Sequence, residues 1–199
     1  HTAVLDVRDR KETEAVIAGL PKAFSKLNVV VANAGLALGL EPAHQANLDD
    51  WEAMVETNIK GVLYTVRAAL PGMVARDEGH VVLVGSVAAD YPYPGGNVYG
   101  ATKAFVKQFA LNLRADLLGA NVRVTNIEPG LAETEFSLVR FKGDAEKAGR
   151  PYKGITPLSA EDVAETIFWS CALPRHLNIN RMQMMAVMQS FGPFAFKRK

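Results

Sequence analysis

One cysteine stands in 199 residues, so Cys171 has no partner for an internal disulfide and no companion thiols for a zinc site. Beside Trp169 it reads as a small apolar residue buried in a helix, and the expected compartment is a reducing cytoplasm. A long apolar run is missing as well. The longest uncharged stretch, 182–196, is broken by Gln183, Gln189, Ser190, Gly192 and Pro193, and falls short of the roughly 18 to 20 apolar residues of a membrane span. Charge of one sign is also lacking. Twenty-two Lys and Arg against 21 Asp and Glu leave a formal net charge of +1, too little to attract nucleic acid or an anionic membrane. His44, His80 and His176 show no metal-ligand spacing, so no metal is expected. What is present, 49% hydrophobic and 22% charged residues, excludes disorder and suits one domain with a sizeable core.

Strand-like and helix-like segments alternate along the chain. Ala3 to Val7 reads as a short strand, and Asp9 caps a helix that Gly19 and Pro21 interrupt. Asn28 to Ala32 and Val81 to Gly85 are β-branched runs with little polar alternation, the pattern of strands buried on both faces of a parallel sheet. A turn-rich loop from Asn33 to Asn47 leads into a long helix from about Leu48 to Arg76, distorted near Pro71 and Gly72. Asn97 to Leu118 has helical spacing, Asn121 to Ile127 is a strand, and Thr134 to Lys153 is an irregular, partly helical excursion. Ser159 to Leu173 is a helix, and the last strand lies within Leu177 to Val187. The implied fold is α/β: one Rossmann-like doubly wound parallel sheet that binds ligands beyond the carboxyl ends of its strands.

Several residues at those ends could carry chemistry. Tyr99 and Lys103, spaced i, i+4 near a helix start, share a face, and a nearby cation favours the phenolate. Ser86 follows the strand Val81 to Gly85 directly and lies thirteen residues before Tyr99, where its hydroxyl could bond a substrate oxygen. Asn58 sits inside a helix, where asparagine has poor propensity. The small residues Asn33-Ala34-Gly35 would let a ribose approach the backbone, and Pro129-Gly130 follows another strand. Each also has a plain structural reading: a packed ring beside a solvated lysine, a capping serine, a satisfied amide, two strand-to-loop turns.

In combination and in this order they resemble the short-chain dehydrogenase/reductase family over essentially the whole chain. The resemblance implies that Tyr99 is the catalytic acid/base and that Lys103 binds the nicotinamide ribose and lowers the tyrosine pKa. It further implies that Ser86 positions the substrate oxygen and that Asn58 holds a water linking Lys103 to a proton relay. Asp6 and Val7 match the adenine contact, Asn33, Ala34 and Gly35 the adenosine-side ribose region, and Pro129, Gly130 and on to Thr134 the nicotinamide carboxamide segment. Longer phrases, among them 33–39, 95–103 and 134–144, look like the bacterial NADP-dependent 3-hydroxy acid dehydrogenases. That subgroup implies NADP as cofactor, small substrates such as serine and L-allo-threonine, and a homotetramer. A carbonyl or 3-oxoacyl reductase and a non-catalytic nucleotide-binding relative are the rival readings.

A hydroxy acid needs a cationic or backbone anchor, and Arg140 and Lys142 are candidates, although both also read as a solvated surface pair. The uncharged stretch 182–196 reads as core strand plus coil, or as a subunit contact. One element of the family pattern is absent. No glycine-rich turn precedes Asp6, so the leading β-α-β unit, on the order of 45 to 50 residues, is expected to be missing. On that expectation Asn28 to Ala32 becomes an edge strand, and the chain as written binds NADP poorly and aggregates.

Overall fold

Runs of valine, isoleucine and leucine between turn residues build the sheet. A computed structural model describes residues 1–191. Four parallel strands, β1 (Val29–Ala32), β2 (Gly79–Val84), β3 (Val122–Pro129) and β4 (Arg181–Met184), lie side by side in chain order. In register, Ala32 pairs with Leu83, Val84 with Ile127 and Pro129 with Met184, so the carboxyl ends of all four strands open on one side.

Five of the helices begin where a side chain satisfies a free amide. Asp9 caps α1 (Arg10–Ala18), Asn47 caps α2 (Leu48–Val55), Thr134 caps α5 (Glu135–Arg140) and Asp144 caps α6 (Ala145–Gly149). Ser159 and Asp162 form a reciprocal capping box at α7 (Ala160–Ala172). Helices α3 (Val62–Ala75) and α4 (Asn97–Asp116) cover one face of the sheet. Val66 and Met73 of α3 and Val106 and Leu113 of α4 join Val81, Leu83, Val122 and Val124 in the main core. Each such side chain contributes about 1.5–3 kcal/mol on burial. On the other face Arg123, alternating with Val122 and Val124, donates to the carbonyls of Ser170, Cys171 and Leu173. The guanidinium thereby neutralises the negative end of α7. Helices on both faces make the sheet doubly wound. No helix among the described residues is long and apolar enough to cross a membrane.

Four expectations need correction. Ala3 to Val7 is not a strand: no ladder pairs with it among the described residues, and Val4 is almost fully exposed. β1 is not buried on both faces, because it is the edge strand and Val29 and Val31 keep more than a third of their surface exposed. The region 48–75 is not one regular helix. A widened π-helical turn (Glu56–Gly61) separates α2 from α3, and α3 runs through Pro71 to Ala75. There Asp77, at φ 53°, reverses the chain, and its carboxylate accepts from the Asn121 backbone and side chain. Finally, Cys171 is only partly buried and Trp169 is half exposed, both on α7. Of the stretch 182–196, Gly192 to Phe196 lies outside the described residues.

Candidate active site

The site grows from the ends of β2 and β3. Gly85 continues β2 by donating its N–H to Ile127 O at 2.7 Å, which sets Ser86 at the mouth of the sheet. Ser86 Oγ accepts from Ala88 N at 3.1 Å and so starts a short turn, Val87–Ala89. Across from it, the first turns of α4 present Tyr99 and Lys103 on one face, both buried. Lys103 Nζ lies 5.8 Å from the Tyr99 ring centre and donates to Val84 O at 2.8 Å. The Ser86 hydroxyl faces the tyrosine hydroxyl closely enough to favour its phenolate.

Burial dominates the electrostatics. It pushes the Tyr99 phenol up to about 12, against the Ser86 hydroxyl, while Tyr93 adds to the rise and the Arg140 charge opposes it. Burial likewise brings Lys103 down to about 8. The expectation that Lys103 lowers the tyrosine pKa is therefore corrected: desolvation sets the direction, and the cation that opposes it is Arg140. The phenol is protonated at neutral pH and stands as an acid.

Ser86, Tyr99 and Lys103 line a single cavity of about 1010 Å³ with Asn33, Gly35, Pro129, Gly130 and Thr134. That volume is at the upper end of small-molecule sites, about 300–1,000 Å³, and accommodates half a dinucleotide with a small substrate. The walls are mainly apolar, with a few polar groups converging on the strand ends. An ammonium has three donors, and among the described residues Lys103 directs one to protein, at Val84 O. Beside it Gly35 has no side chain, and a Cβ there would stand 3.3 Å from both Lys103 Nζ and Asn58 Oδ1. Glycine thus keeps open the approach to the lysine.

Four predicted residues lie elsewhere. Asn58 sits behind the cavity in the π-helical turn, almost fully buried, with its amide spent on protein. Its Oδ1 accepts from Leu36 N at 2.8 Å, and its Nδ2 donates to Leu36 O at 2.8 Å and to Thr102 Oγ1 at 3.0 Å. The side chain fastens the 33–36 loop to α4, with both amide hydrogens and one lone pair of Oδ1 spent on protein. Ala34 is exposed and does not line the cavity. Asp6 is bound by the Arg8 guanidinium, and Val7 packs over Gly61, both outside the cavity.

The irregular excursion after Thr134 covers the site. α5 carries Phe136 and Arg140 against Tyr99, with ring contacts at 5.5 and 5.1 Å, and Gly39 N bonds Arg140 O at 3.1 Å. Tyr152 closes the far side through Ser137 Oγ at 2.6 Å and Ala132 O at 3.0 Å. Gln189 accepts from Leu131 N at 2.8 Å beneath Gly130, where its side chain occupies the place of a Cβ. The two basic candidates separate: Lys142 pairs with Asp50 at the surface, whereas Arg140 points into the cavity. For Arg140 the only available signal was its position in the excursion that covers the strand ends; Tyr93, Tyr152 and Gln189 had none.

The sequence profile described as short chain dehydrogenase matches residues 1–144. The chain belongs to the short-chain dehydrogenase family. It is 58% identical over 198 residues to the NADP-dependent 3-hydroxy acid dehydrogenase YdfG of Salmonella typhi, covering 99% of this chain and 80% of that protein. It is 51% identical to sulfoacetaldehyde reductase 2 of Chromohalobacter salexigens, over 100% of this chain and 79% of that one. A solved structure described as the closed form of serine dehydrogenase complexed with NADP+ superposes with a TM-score of 0.94 at 56% identity. That superposition covers 95% of this chain and 77% of the other. These relatives are dehydrogenases and a reductase, enzymes acting on CH–OH and carbonyl groups.

Proposed function

We propose that the protein interconverts small 3-hydroxy acids and their 3-oxo counterparts with NADP. The observation that supports this most is the joint placement of Ser86, Tyr99 and Lys103 in one cavity. High identity to proteins named for that chemistry and that cofactor adds the substrate class. Serine, L-allo-threonine and 3-hydroxypropionate are the expected substrates.

The nicotinamide, when bound, supplies the hydride acceptor or donor. The chain supplies placement and the proton. Ser86 donates to the substrate oxygen and holds it against Tyr99 Oη. In reduction, that oxygen receives the phenolic proton as its carbon gains hydride. In oxidation Tyr99 first gives its proton to water, and the phenolate takes the hydroxyl proton as the same carbon loses hydride. Lys103 presents its unspent donors to the ribose, and Asn33, Gly35, Pro129, Gly130 and Thr134 form the remaining walls of the cofactor site. Asn58 acts from behind, by holding the 33–36 loop against α4. A homotetramer is part of the proposal, and sedimentation equilibrium tests it.

A rate panel of serine, L-allo-threonine, 3-hydroxypropionate and an acetoacetyl thioester, each with NADP and NAD, tests the reading. Preference for the thioester would replace it with a 3-oxoacyl reductase. NADPH binding without turnover of any member would replace it with a non-catalytic relative.

A further inference from the structure

Arg140 is an unusual wall for a cavity that handles uncharged carbinols. Its guanidinium is packed among three rings, 5.1 Å from the centre of Tyr99, 5.0 Å from Phe136 and 5.8 Å from Tyr93. Nη2 donates to Tyr93 Oη at 2.9 Å, and Nε is buried with no hydrogen-bond partner among the described residues. No carboxylate forms an ion pair with it among those residues, although ten other pairs occur there. Glu133, Glu135 and Glu161 also line the cavity, but all three are exposed. A half-buried cation with a buried, unspent donor and no counter-ion is costly to fold, and an incoming anion relieves that cost.

The same guanidinium lies against the ring whose hydroxyl meets Ser86. An anion seated on Arg140 therefore sets a carbinol a short way along its chain beside the proton-transfer pair. We infer that Arg140, oriented by Tyr93, is the anchor for the acid group of the substrate. The group is an oxyanion, carboxylate or sulfonate, one methylene from the carbinol carbon. This rests on the proposed 3-hydroxy acid chemistry and adds the residue that selects the acid. The planar fork of Arg suits two oxygens at once, and the rings exclude water from the pair.

The test compares a 3-hydroxycarboxylate with its methyl ester, which keeps the skeleton and loses the charge, and with 2-hydroxyethanesulfonate. In Arg140→Met, kcat/KM for the acid falls by roughly 10- to 100-fold, mostly through KM, while the ester changes by less than about threefold. Propionate, a non-reacting acid, loses affinity for the NADP+-loaded protein by a similar factor in calorimetry. Arg140→Lys recovers part of the acid rate. Tyr93→Phe, which keeps the ring and removes the orienting hydroxyl, loses about 3- to 10-fold on acids alone. It serves as the reading should Arg140→Met not melt cooperatively. The arm with the larger loss, carboxylate or sulfonate, names the preferred oxyanion. Equal losses on acid and ester, or no loss on either, overturn the inference and leave the 3-hydroxy acid reading standing. A wild-type protein that oxidises no acid with NADP+ overturns both.

Discussion

Tyr99 and Lys103 share one helix face, yet burial drives them apart electrostatically: the phenol holds its proton more firmly and the ammonium more loosely than in water. Two expectations follow at this scale. Tyr99→Phe, which removes only the acid, lowers kcat by about 10²–10⁴-fold while leaving cofactor binding and the melting temperature near wild type. Fluorescence titration with NADPH alongside steady-state kinetics separates these quantities. The second concerns pH. Below about 8 both groups are protonated, and above it Lys103 loses the charge that faces the ribose side of the cavity. The kcat/KM for carbonyl reduction therefore stays level from pH 6 to 7.5 and declines above about 8. A profile that keeps rising through pH 9 contradicts the assignment of that limb to Lys103.

Among the elements, the π-helical turn and β2 hold the site from behind. Asn58→Ala leaves Leu36 N–H, Leu36 C=O and Thr102 without their buried partner. The expected cost is about 2 kcal/mol, a fall in Tm of about 4–8 °C, with a raised KM for the cofactor. On β2, His80 is buried against Thr125, and burial, with the Arg123 charge, brings it down to about 4 from an ordinary 6.5. The folded protein thus binds fewer protons than the unfolded chain between those values. This contribution to stability is complete above 6.5 and is lost as pH falls toward 4, by about 3 kcal/mol. Burial raises the Glu128 carboxyl to about 7, which acts in the opposite sense over the same range, so the slope is read as the difference between wild type and His80→Gln in urea denaturation at pH 7, 5.5 and 4, the wild type losing more stability as pH falls. The alternation of β-branched runs and capped helices made most of these elements legible in the sequence, and α4 and α7 begin and end within two residues of expectation. The π-helical turn was not legible, because what holds it is Asn58 reaching Leu36, a partner 22 positions away. The cover over the site was legible as an irregular excursion from Thr134 to Lys153 with Arg140 as a candidate anchor, but its contacts were not: Arg140 and Tyr152 meet rings and carbonyls that only the fold brings near. Ala3 to Val7 was misread because apolar alternation indicates a strand only where a neighbour exists to pair with it.

In the whole molecule, β4 is tied to the catalytic strands by charge. Glu128 is fully buried and accepts from Arg181 Nε at 2.6 Å, Gln183 Nε2 at 3.2 Å and Asn126 Nδ2 at 2.7 Å. Arg181 also pairs with Asp90, which Lys107 of α4 holds at 2.6 Å. Arg181→Met strands the Glu128 carboxylate and is expected to cost about 3–5 kcal/mol, whereas the double variant with Glu128→Gln recovers most of it. A chemical-denaturation cycle of the four proteins measures the coupling. The ladder between β2 and β3 has another consequence. It fixes Ser86 and Pro129 relative to each other through backbone alone, with α4 braced against the same two strands, while the cover from Glu135 to Tyr152 arrives later in the chain. On the proposed mechanism, proton transfer and substrate choice therefore reside in separate stretches of polypeptide. The cover can be exchanged like a fitting, which lets one chassis acquire new substrates without relearning its chemistry.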